Sequence, residues 1–395
     1  MSHSPESSCP VCRSKHWNVF FEMPEMPIFC NFFWPDQQSA RNCSKGNIRL
    51  AFCSDCGFIC NVAFEPARLE YTQTYENALD FSPRFQDYAR SLATRLVKEY
   101  SLYKKDIIEI GCGKGEFLVS LCQLGHNRGV GFDPTYVELP EHGRVRGQVQ
   151  FVRDLYSDQY SSYPSSFFCC RHTLEHVQDP ISLIQVLRQA IGDRPNIPIF
   201  FEVPNGLDTF CNLAIWDIIY EHCCFFTPVS LSRAFSVCGF QIHKLWQEYQ
   251  GQFLCIDAMV GKVTDQLTEQ QLEEVKKLTA DITAFPTNFQ NKINSWHTKL
   301  ESIAQHGRRA VVWGGGSKGV TFLNLLNVTD AIEYVVDINP RKQEMYLAGT
   351  GQRIVPPEFL QEYQPEVVFV MNEIYAEEIR QTLTALELSS ELMCV

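Results

Sequence analysis

The sequence contains no long hydrophobic run. No apolar stretch in its 395 residues approaches the roughly 20 residues that a helix needs to cross a bilayer. Its first residues also lack the basic and apolar regions of a secretory signal. We therefore expect a cytoplasmic protein with no membrane partner, whose cysteines remain reduced thiols or bind metal.

Basic residues are in the minority. The chain has 34 Lys and Arg against 46 Asp and Glu, a net charge of −12, and it contains no Lys/Arg-rich run. Proteins that bind a polyanion usually present a basic surface. We therefore expect a small-molecule substrate and no nucleic-acid partner. The oligomeric state stays open, and a monomer is plausible.

Cysteine, in contrast, is plentiful, with 17 in the chain. Two Cys-x2-Cys pairs stand in the N-terminal part, Cys9 with Cys12 and Cys53 with Cys56. Four thiolates suit tetrahedral Zn²⁺ and leave no open coordination position, so the pattern predicts a structural metal. The alternative is four unrelated buried cysteines.

Four segments differ in their residue pattern. Residues 1–65 carry the cysteine pairs and predict a zinc-binding domain, and residues 66–262 alternate strand and helix patterns. Residues 263–306 read as a helical linker with a break or kink at Pro286, and residues 307–395 alternate again. The second segment predicts an α/β sheet, mainly parallel, with helices on both faces and an antiparallel hairpin at its edge. Its predicted strands are 106–110, 129–133, 150–153, 166–170, 197–202, 240–246 and 252–259.

Three glycines follow the first of these strands at alternate positions, Gly111, Gly113 and Gly115, after Glu109 near the strand's end. A strand, a tight glycine turn and a helix N-terminus together form a nucleotide site. The spacing E-x-G-x-G-x-G resembles the first motif of class I S-adenosylmethionine (SAM) methyltransferases, and it differs from the dehydrogenase pattern G-x-G-x-x-G. That resemblance implies a seven-stranded Rossmann-like core and SAM as cofactor.

The cofactor needs several polar partners. Asp133 ends the second strand, where an acid accepts bonds from the ribose hydroxyls. Asp154 follows the third strand and is predicted either to accept from the adenine amino group or to cap a helix. Glu109 is placed to bind the cofactor's amino group. After the fourth strand, Arg171 and His172 are predicted to face the cofactor, whereas the Glu-His pair at 175–176 lines the pocket or simply begins the next helix.

The chemistry is predicted to follow the fifth strand, where Asn205, predicted to contact substrate, and then Tyr220-Glu221-His222 occur in an apolar segment. Histidine can accept a proton near neutrality. Glu221 is expected to orient it or to act alone, and Tyr220 to stabilise an oxyanion. The alternative is a buried, hydrogen-bonded histidine with no catalytic role.

With these motifs the chain resembles the sugar C-methyltransferases that act on thymidine-diphosphate-linked 4-keto-deoxysugars. The resemblance implies that His222 removes the proton alpha to the ketone and that the resulting enolate attacks the methyl group. It also implies that Tyr75 lines the active site. It further implies a small N-terminal four-cysteine zinc lobe and a second, C-terminal Rossmann-like lobe that binds substrate.

The C-terminal segment opens with a second glycine turn, Gly314-Gly-Gly-Ser317-Lys318, and Asp337 follows the next strand. Helix-start amides and a lysine suit an anionic group such as a diphosphate, and Asn372 matches a family asparagine. An NAD site is a weaker alternative, because the segment is short. Met371 stands where the family has tryptophan, which bears on the sugar specificity.

The sequence therefore predicts a SAM-dependent methyltransferase that C-methylates a nucleotide-linked keto-sugar or a related small metabolite. One alternative is O-methylation of a small molecule that is not a nucleotide, and another is a SAM-fold binding module without catalysis. A nucleic-acid methyltransferase is opposed by the charge.

Overall fold

A computed structural model describes residues 8–69, 75–138, 147–329 and 331–395. The strands of these residues form three sheets. The strands are β1 (Trp17–Pro27), β2 (Lys45–Cys53), β3 (Ile59–Asn61), β4 (Asp106–Ile110), β5 (Arg128–Phe132), β6 (Val149–Val152), β7 (Phe167–Arg171), β8 (Ile199–Pro204), β9 (Cys224–Phe225), β10 (Phe240–Glu248), β11 (Phe253–Val260), β12 (Ala310–Trp313), β13 (Tyr334–Val336), β14 (Arg353–Val355), β15 (Val367–Val370) and β16 (Glu391–Cys394). The helices are α1 (Gln37–Arg41), α2 (Pro83–Glu99), α3 (Glu116–Gly125), α4 (Pro180–Ile191), α5 (Gly206–Phe210), α6 (Pro228–Val237), α7 (Glu269–Gln305), α8 (Ser317–Leu325), α9 (Leu360–Tyr363) and α10 (Ala376–Ala385).

The central sheet has seven strands in the order β10-β11-β8-β7-β4-β5-β6. Strands β4 to β8 run parallel, and β11 is antiparallel to both β8 and β10. The prediction of a mainly parallel seven-stranded α/β core is thus confirmed. The predicted antiparallel hairpin at the edge is confirmed too, with β10 outermost and β11 one position inside it. The reason is burial, because Leu254, Cys255 and Ile256 of β11 are buried whereas His243 and Lys244 of β10 are exposed.

Two smaller sheets flank the central one. The first has the order β1-β2-β3-β9, and its strand pairs are antiparallel. Its last strand, β9, comes from the stretch after β8, so the sheet includes strands from both sides of the predicted boundary at residue 65. The second is a five-stranded parallel sheet, β14-β13-β12-β15-β16. It provides the C-terminal Rossmann-like lobe.

Helix α7 is long and continuous. It begins with a capping box at Thr268 and continues through Pro286, where the sequence predicts a break. Proline removes one backbone donor, but the flanking side chains of Phe285 and Phe289 are buried, and this packing stabilises the helix across the gap. No helix in the described part of the chain, α7 included, combines the length and apolar character needed to cross a membrane.

The buried face of α7 contacts two of the three sheets. The ring of Phe285 lies 5.1 Å from that of Phe21 on β1. Eleven residues later, Trp296 packs against Phe322 of α8 at 5.4 Å and against Phe369 of β15 at 5.9 Å. The N-terminal sheet and the C-terminal lobe therefore pack against the same helix.

Candidate active site

The first glycine turn joins β4 to α3. The backbone of Gly111 is left-handed (φ +68°), and a Cβ there would lie 1.9 Å from Thr173 Oγ1, so only glycine fits. The amide of Gly113 donates to Asp133 Oδ2 at 2.8 Å. This bond joins the turn to the end of β5 and leaves the helix N-terminus of α3 facing a cavity.

That cavity has a volume of about 670 Å³ and lies at the carboxyl ends of the central strands. In open α/β sheets, ligands bind at this edge. Most of the predicted cofactor residues line it, namely Glu109, Gly111, Gly113, Asp133, Arg171 and His172. Gly115 stands beside them as the N-cap of α3, with φ +93°.

Glu109 and Asp133 supply the acceptors of this cavity. Glu109 is 2% exposed and its Oε2 has no hydrogen-bond partner among the described residues. Burial raises the pKa of its carboxyl to about 8 although Arg171 opposes the rise. A buried carboxylate with one unpaired oxygen fits a cationic amino group. Asp133 Oδ1 accepts from the amide and hydroxyl of Thr135 at 2.7 and 2.6 Å, which fixes the carboxylate at the cavity wall.

Asp154 is not brought to the cavity. Its carboxylate accepts from Leu155 N at 2.8 Å, from Gln159 Nε2 at 3.2 Å and from the Tyr160 hydroxyl at 2.6 Å. The turn after β6 thus directs it away from the predicted adenine slot. Asp158, which the sequence analysis did not single out, lines the cavity instead.

Arg171 and His172 are held by a buried acid, Glu202 on β8. Arg171 Nη2 and His172 Nε2 each lie 2.8 Å from Glu202 Oε1, and Tyr88 donates to the same carboxylate. Burial alone would raise the pKa of Glu202, but Arg171 and the His172 hydrogen bond outweigh it and hold that pKa at about 2. Phe117 stacks on Arg171 at 4.2 Å. No local sequence pattern marks Glu202, because its partners lie on other elements.

A second cavity of about 290 Å³ separates the central sheet from the C-terminal lobe. We refer to it as the cleft. Several predicted catalytic and substrate residues line it from both sides, namely Tyr75, His222, Gly314, Ser317, Lys318 and Asn372. The cleft and the first cavity share part of their wall, including Tyr75, Asn77, His172 and His176. A ligand in each would therefore be adjacent.

His222 lies in the cleft beside His176, with the two ring centroids 5.0 Å apart. Burial lowers the pKa of His222 to about 4 and that of His176 to about 3, so both imidazoles are neutral near pH 7. Glu175 is 2% exposed, and burial raises its pKa to about 8. The structure thus places the Glu-His pair at 175–176 in the cleft wall; both residues lie in a 3₁₀ turn, with α4 beginning only at Pro180.

Tyr220 and Glu221 face away from the cleft, so neither contacts a ligand bound there. The Tyr220 hydroxyl accepts from Glu65 N at 3.0 Å, against the N-terminal sheet. Glu221 accepts from Cys30 N at 2.7 Å and from the Tyr75 hydroxyl. The N-terminal sheet packs on this side of the segment, which leaves His222 on the cleft side.

Asn205 is also outside the cleft. It is 3% exposed, its Oδ1 accepts from Leu207 N at 3.1 Å as the N-cap of α5, and its Nδ2 donates to Gly251 O at 2.8 Å. Both functional groups are engaged within the fold. Its position corrects the prediction that Asn205 contacts substrate.

On the far side of the cleft, Lys318 and Asn372 meet residues of the central domain. Lys318 Nζ lies 3.1 Å from Asp217 Oδ2. The amides of Asn372 and Gln252 exchange two hydrogen bonds of 2.8 and 3.0 Å. No local pattern marks Gln252, because its partner lies 120 residues away along the chain. These contacts close the cleft between the lobes.

The four predicted zinc ligands converge. Sγ of Cys9 is 3.6 Å from Sγ of Cys56, Sγ of Cys12 is 3.5 Å from Sγ of Cys53, and all four ligand atoms lie within 4.8 Å of one another. The thiols are free, and a set of four sulfurs at this spacing fits a tetrahedral metal.

Comparison with known proteins covers most of the chain. A family model described as a methyltransferase domain matches residues 83–245, and one described as a C-methyltransferase C-terminal domain matches residues 253–391. A search of curated proteins finds no match.

Solved structures resemble the chain over somewhat less than half its length. One is the Burkholderia thailandensis 1,6-didemethyltoxoflavin-N1-methyltransferase with S-adenosylhomocysteine, at 15% identity, 46% of this chain, 82% of that chain and a TM-score of 0.35. A second is magnesium protoporphyrin IX methyltransferase from Synechocystis PCC 6803, at 15% identity, 45% of this chain, 84% of that chain and a TM-score of 0.35.

The first family-model match spans the central sheet from α2 into β10, and the second spans β11, α7 and the C-terminal lobe. The chain is a SAM-dependent methyltransferase with a class I core.

Proposed function

We propose that the enzyme C-methylates a keto-sugar linked to a nucleotide, or a closely related small metabolite. One observation carries the proposal, namely that the cofactor cavity and the cleft share a wall in which His172 and His176 stand. A methyl donor in one and an acceptor in the other would then meet directly. The match of the C-terminal lobe to a C-methyltransferase model supports the same reaction.

In this proposal the cofactor is held by groups that the fold already fixes. Glu109 binds the amino group, Asp133 the ribose hydroxyls, and the glycine turn the tail. SAM, when bound, supplies an electrophilic methyl group. The protein's task is then to orient the acceptor and remove its proton.

His222 is the proposed proton acceptor. It lines the cleft, and its ring hydrogen-bonds the backbone carbonyl of Asp217, which leaves the second ring nitrogen as the acceptor. Removal of the proton alpha to a ketone would give an enolate, the nucleophile for carbon methylation. Tyr75, held between the Asn31 amide at 3.3 Å and Glu221, borders the same space. In this proposal Glu221 positions Tyr75 through their hydrogen bond, and Tyr220 holds the segment against the N-terminal sheet.

The C-terminal lobe is proposed to hold an anionic tail such as the substrate's diphosphate. Gly314, Ser317 and Lys318 line the cleft where α8 begins, and helix-start amides with an adjacent lysine bind anions. Asn372 faces the same space. Substrate would then compete with Asp217 for Lys318.

The direct test combines labelled SAM, a panel of dTDP-4-keto-deoxysugars and solvent deuterium. Wild-type enzyme should transfer label to carbon, and with S-adenosylhomocysteine in place of SAM it should exchange the alpha proton of the sugar. His222→Asn should abolish both. His243→Asn, on an exposed position of β10, is the matched control and should leave both unchanged.

The alternatives give different outcomes. Label on oxygen without alpha-proton exchange would favour an O-methyltransferase and overturn the carbon assignment. Unchanged turnover in His222→Asn would remove His222 from the mechanism. Binding of SAM with no transfer to any acceptor would favour a binding module.

We also propose that Cys9, Cys12, Cys53 and Cys56 hold a structural zinc ion. A thiol-reactive mercurial should release about one zinc per chain, because such reagents attack thiolate ligands. The N-terminal sheet should lose its structure at the same time, measured by circular dichroism. Metal-free protein that is fully folded would contradict this assignment. We further propose the four-part division 1–65, 66–262, 263–306 and 307–395.

A further inference from the structure

Three metal-ligating side chains meet in the cleft wall, Glu175, His176 and His222. One ligand atom from each lies within 4.8 Å of the others, and all three side chains line the cleft. Glu175 and His176 are neighbours in a 3₁₀ turn after β7, whereas His222 comes from the segment before β9. Two separate parts of the chain thus converge on one point.

In each of the two imidazoles one ring nitrogen faces a backbone carbonyl, as in histidines that bind metals. His176 Nδ1 lies 3.0 Å from the carbonyl oxygen of Glu221, and the His222 ring bonds the carbonyl of Asp217. A ring nitrogen that faces a carbonyl carries the proton, so the other nitrogen carries the lone pair. Histidines that bind metals usually donate their second nitrogen to a carbonyl or carboxylate in this way.

The carboxylate supplies the second, independent observation. Glu175 is 2% exposed, and apart from its own backbone amide neither of its oxygens has a hydrogen-bond partner among the described residues. Its Oε1 lies 3.9 Å from His172 Nδ1, which is too far for a hydrogen bond. Buried carboxylates without a partner are costly, and a cation at this point would satisfy both oxygens.

We propose that Glu175, His176 and His222 form a binding site for one divalent first-row transition cation. Two imidazoles and one carboxylate suit Mn²⁺, Fe²⁺, Co²⁺ or Zn²⁺. Three protein ligands leave open positions, and because the site lies in the cleft, those positions face a bound acceptor. The site is separate from the four-cysteine cluster, whose sulfur ligands suit a closed structural metal.

The role of the cation rests on the proposed function. A cation in this position would polarise the ketone oxygen of the sugar and acidify its alpha proton. His222 would then be a ligand, with its lone pair used for coordination, and a water or hydroxide on one of the open positions would accept the alpha proton in its place. If the cation takes part in the reaction, methylation should be lost in EDTA. If it does not, methylation should be unchanged there.

The binding test uses MnCl₂ and the full chain. Mn²⁺ prefers carboxylate and imidazole to thiolate ligands, so the four-cysteine cluster should not compete. Electron paramagnetic resonance of free Mn²⁺ should show about one bound ion per wild-type chain. Glu175→Gln and His176→Asn should each weaken binding at least tenfold, while His243→Asn should bind as wild type does. Circular dichroism verifies that the variants are folded.

Absence of Mn²⁺ binding to wild-type protein, or equal binding by folded Glu175→Gln, would overturn the site. Activity separates the site from the substrate proposal. Full methylation of a keto-sugar in EDTA, with no Mn²⁺ bound, would leave C-methylation standing and overturn the role of the cation. Stoichiometric Mn²⁺ binding without turnover of any keto-sugar would leave the site standing and overturn the substrate.

Discussion

The two glycine turns of this enzyme have the same local plan and different surroundings. In the first, Gly113 N donates to Asp133 Oδ2 at 2.8 Å, and in the second, Gly315 N donates to Asp337 Oδ2 at 2.9 Å. The difference is Lys342, which is 5% exposed and lies 3.2 Å from Asp337 Oδ2. No ion pair of Asp133 occurs among the described residues. One acid is thus available for a ligand's hydroxyl groups, whereas the other is neutralised within the fold.

A strand, a glycine turn and a following acid do not by themselves make a nucleotide site. The buried ion pair of Asp337 and Lys342 occupies the position where a ribose would bind in a dinucleotide fold. It argues against an NAD site in the C-terminal lobe. At the second turn, the groups that remain available to a ligand are the amides at the start of α8 and Lys318.

The largest expected effect comes from adding a methyl group to each turn. Gly111→Ala should destabilise the enzyme by about 2 to 4 kcal/mol, because the left-handed backbone and the 1.9 Å approach to Thr173 both resist a Cβ. Gly315→Ala places its Cβ 3.2 Å from Asp337 Oδ2, 3.4 Å from Val335 and 3.5 Å from Ile354, with no left-handed backbone, and should cost less, about 1 kcal/mol. Urea unfolding measures both, and equal losses would show that the two turns are equally constrained.

The next effect concerns the two acids. Asp133→Asn should weaken SAM binding by about 10- to 100-fold, since charge-assisted hydrogen bonds are worth about 1.5 to 3 kcal/mol. Asp337→Asn should leave the SAM dissociation constant unchanged and lower the melting temperature, because Lys342 loses its partner. Calorimetric titration gives the constants. A comparable loss of SAM affinity in both variants would break the distinction between the turns.

The smallest effect is a pH dependence from Glu109. Its pKa is raised from 4.5 to about 8 in the folded protein, so the native state holds the proton more tightly than the unfolded chain. The resulting stability is fully present below pH 4.5 and is lost as the pH rises to about 8. Without SAM, Glu109→Gln should therefore gain stability over wild type at pH 8.5, on the order of 2 kcal/mol.

Scanning calorimetry at pH 5.5 and pH 8.5 would measure this change. Glu333→Gln, at an exposed position, serves as the control and should follow the wild-type pH dependence. If the stability of Glu109→Gln depends on pH as that of wild type does, the Glu109 carboxyl is already ionised in the ligand-free protein.

Local signals made part of this molecule predictable. The spacing of Gly111 and Asp133 reports a strand, a turn and a second strand, all neighbours in the chain, and the cavity forms where that spacing places it. The seven strands of the core follow from the same short-range patterns. The Cys-x2-Cys pairs likewise converge as their spacing predicts.

Tertiary packing decided the rest. Tyr220 and His222 are two positions apart in an irregular segment, and only the N-terminal sheet determines which of them faces the cleft. Glu202 and Gln252 take part in contacts between distant segments that leave no local pattern. Pro286 predicts a break because its own chemistry favours one, whereas buried neighbours on α7 keep the helix intact.

Helix α7 has a thermodynamic consequence. One continuous group of buried apolar side chains includes Phe21 of the N-terminal sheet, Phe210 of α5, Phe285 of α7 and Phe369 of the C-terminal lobe. No lobe can separate from this helix without exposing aromatic surface to water. The three sheets should therefore melt in a single cooperative transition, and the width of the cleft is set by a shared rigid element rather than by a flexible tether.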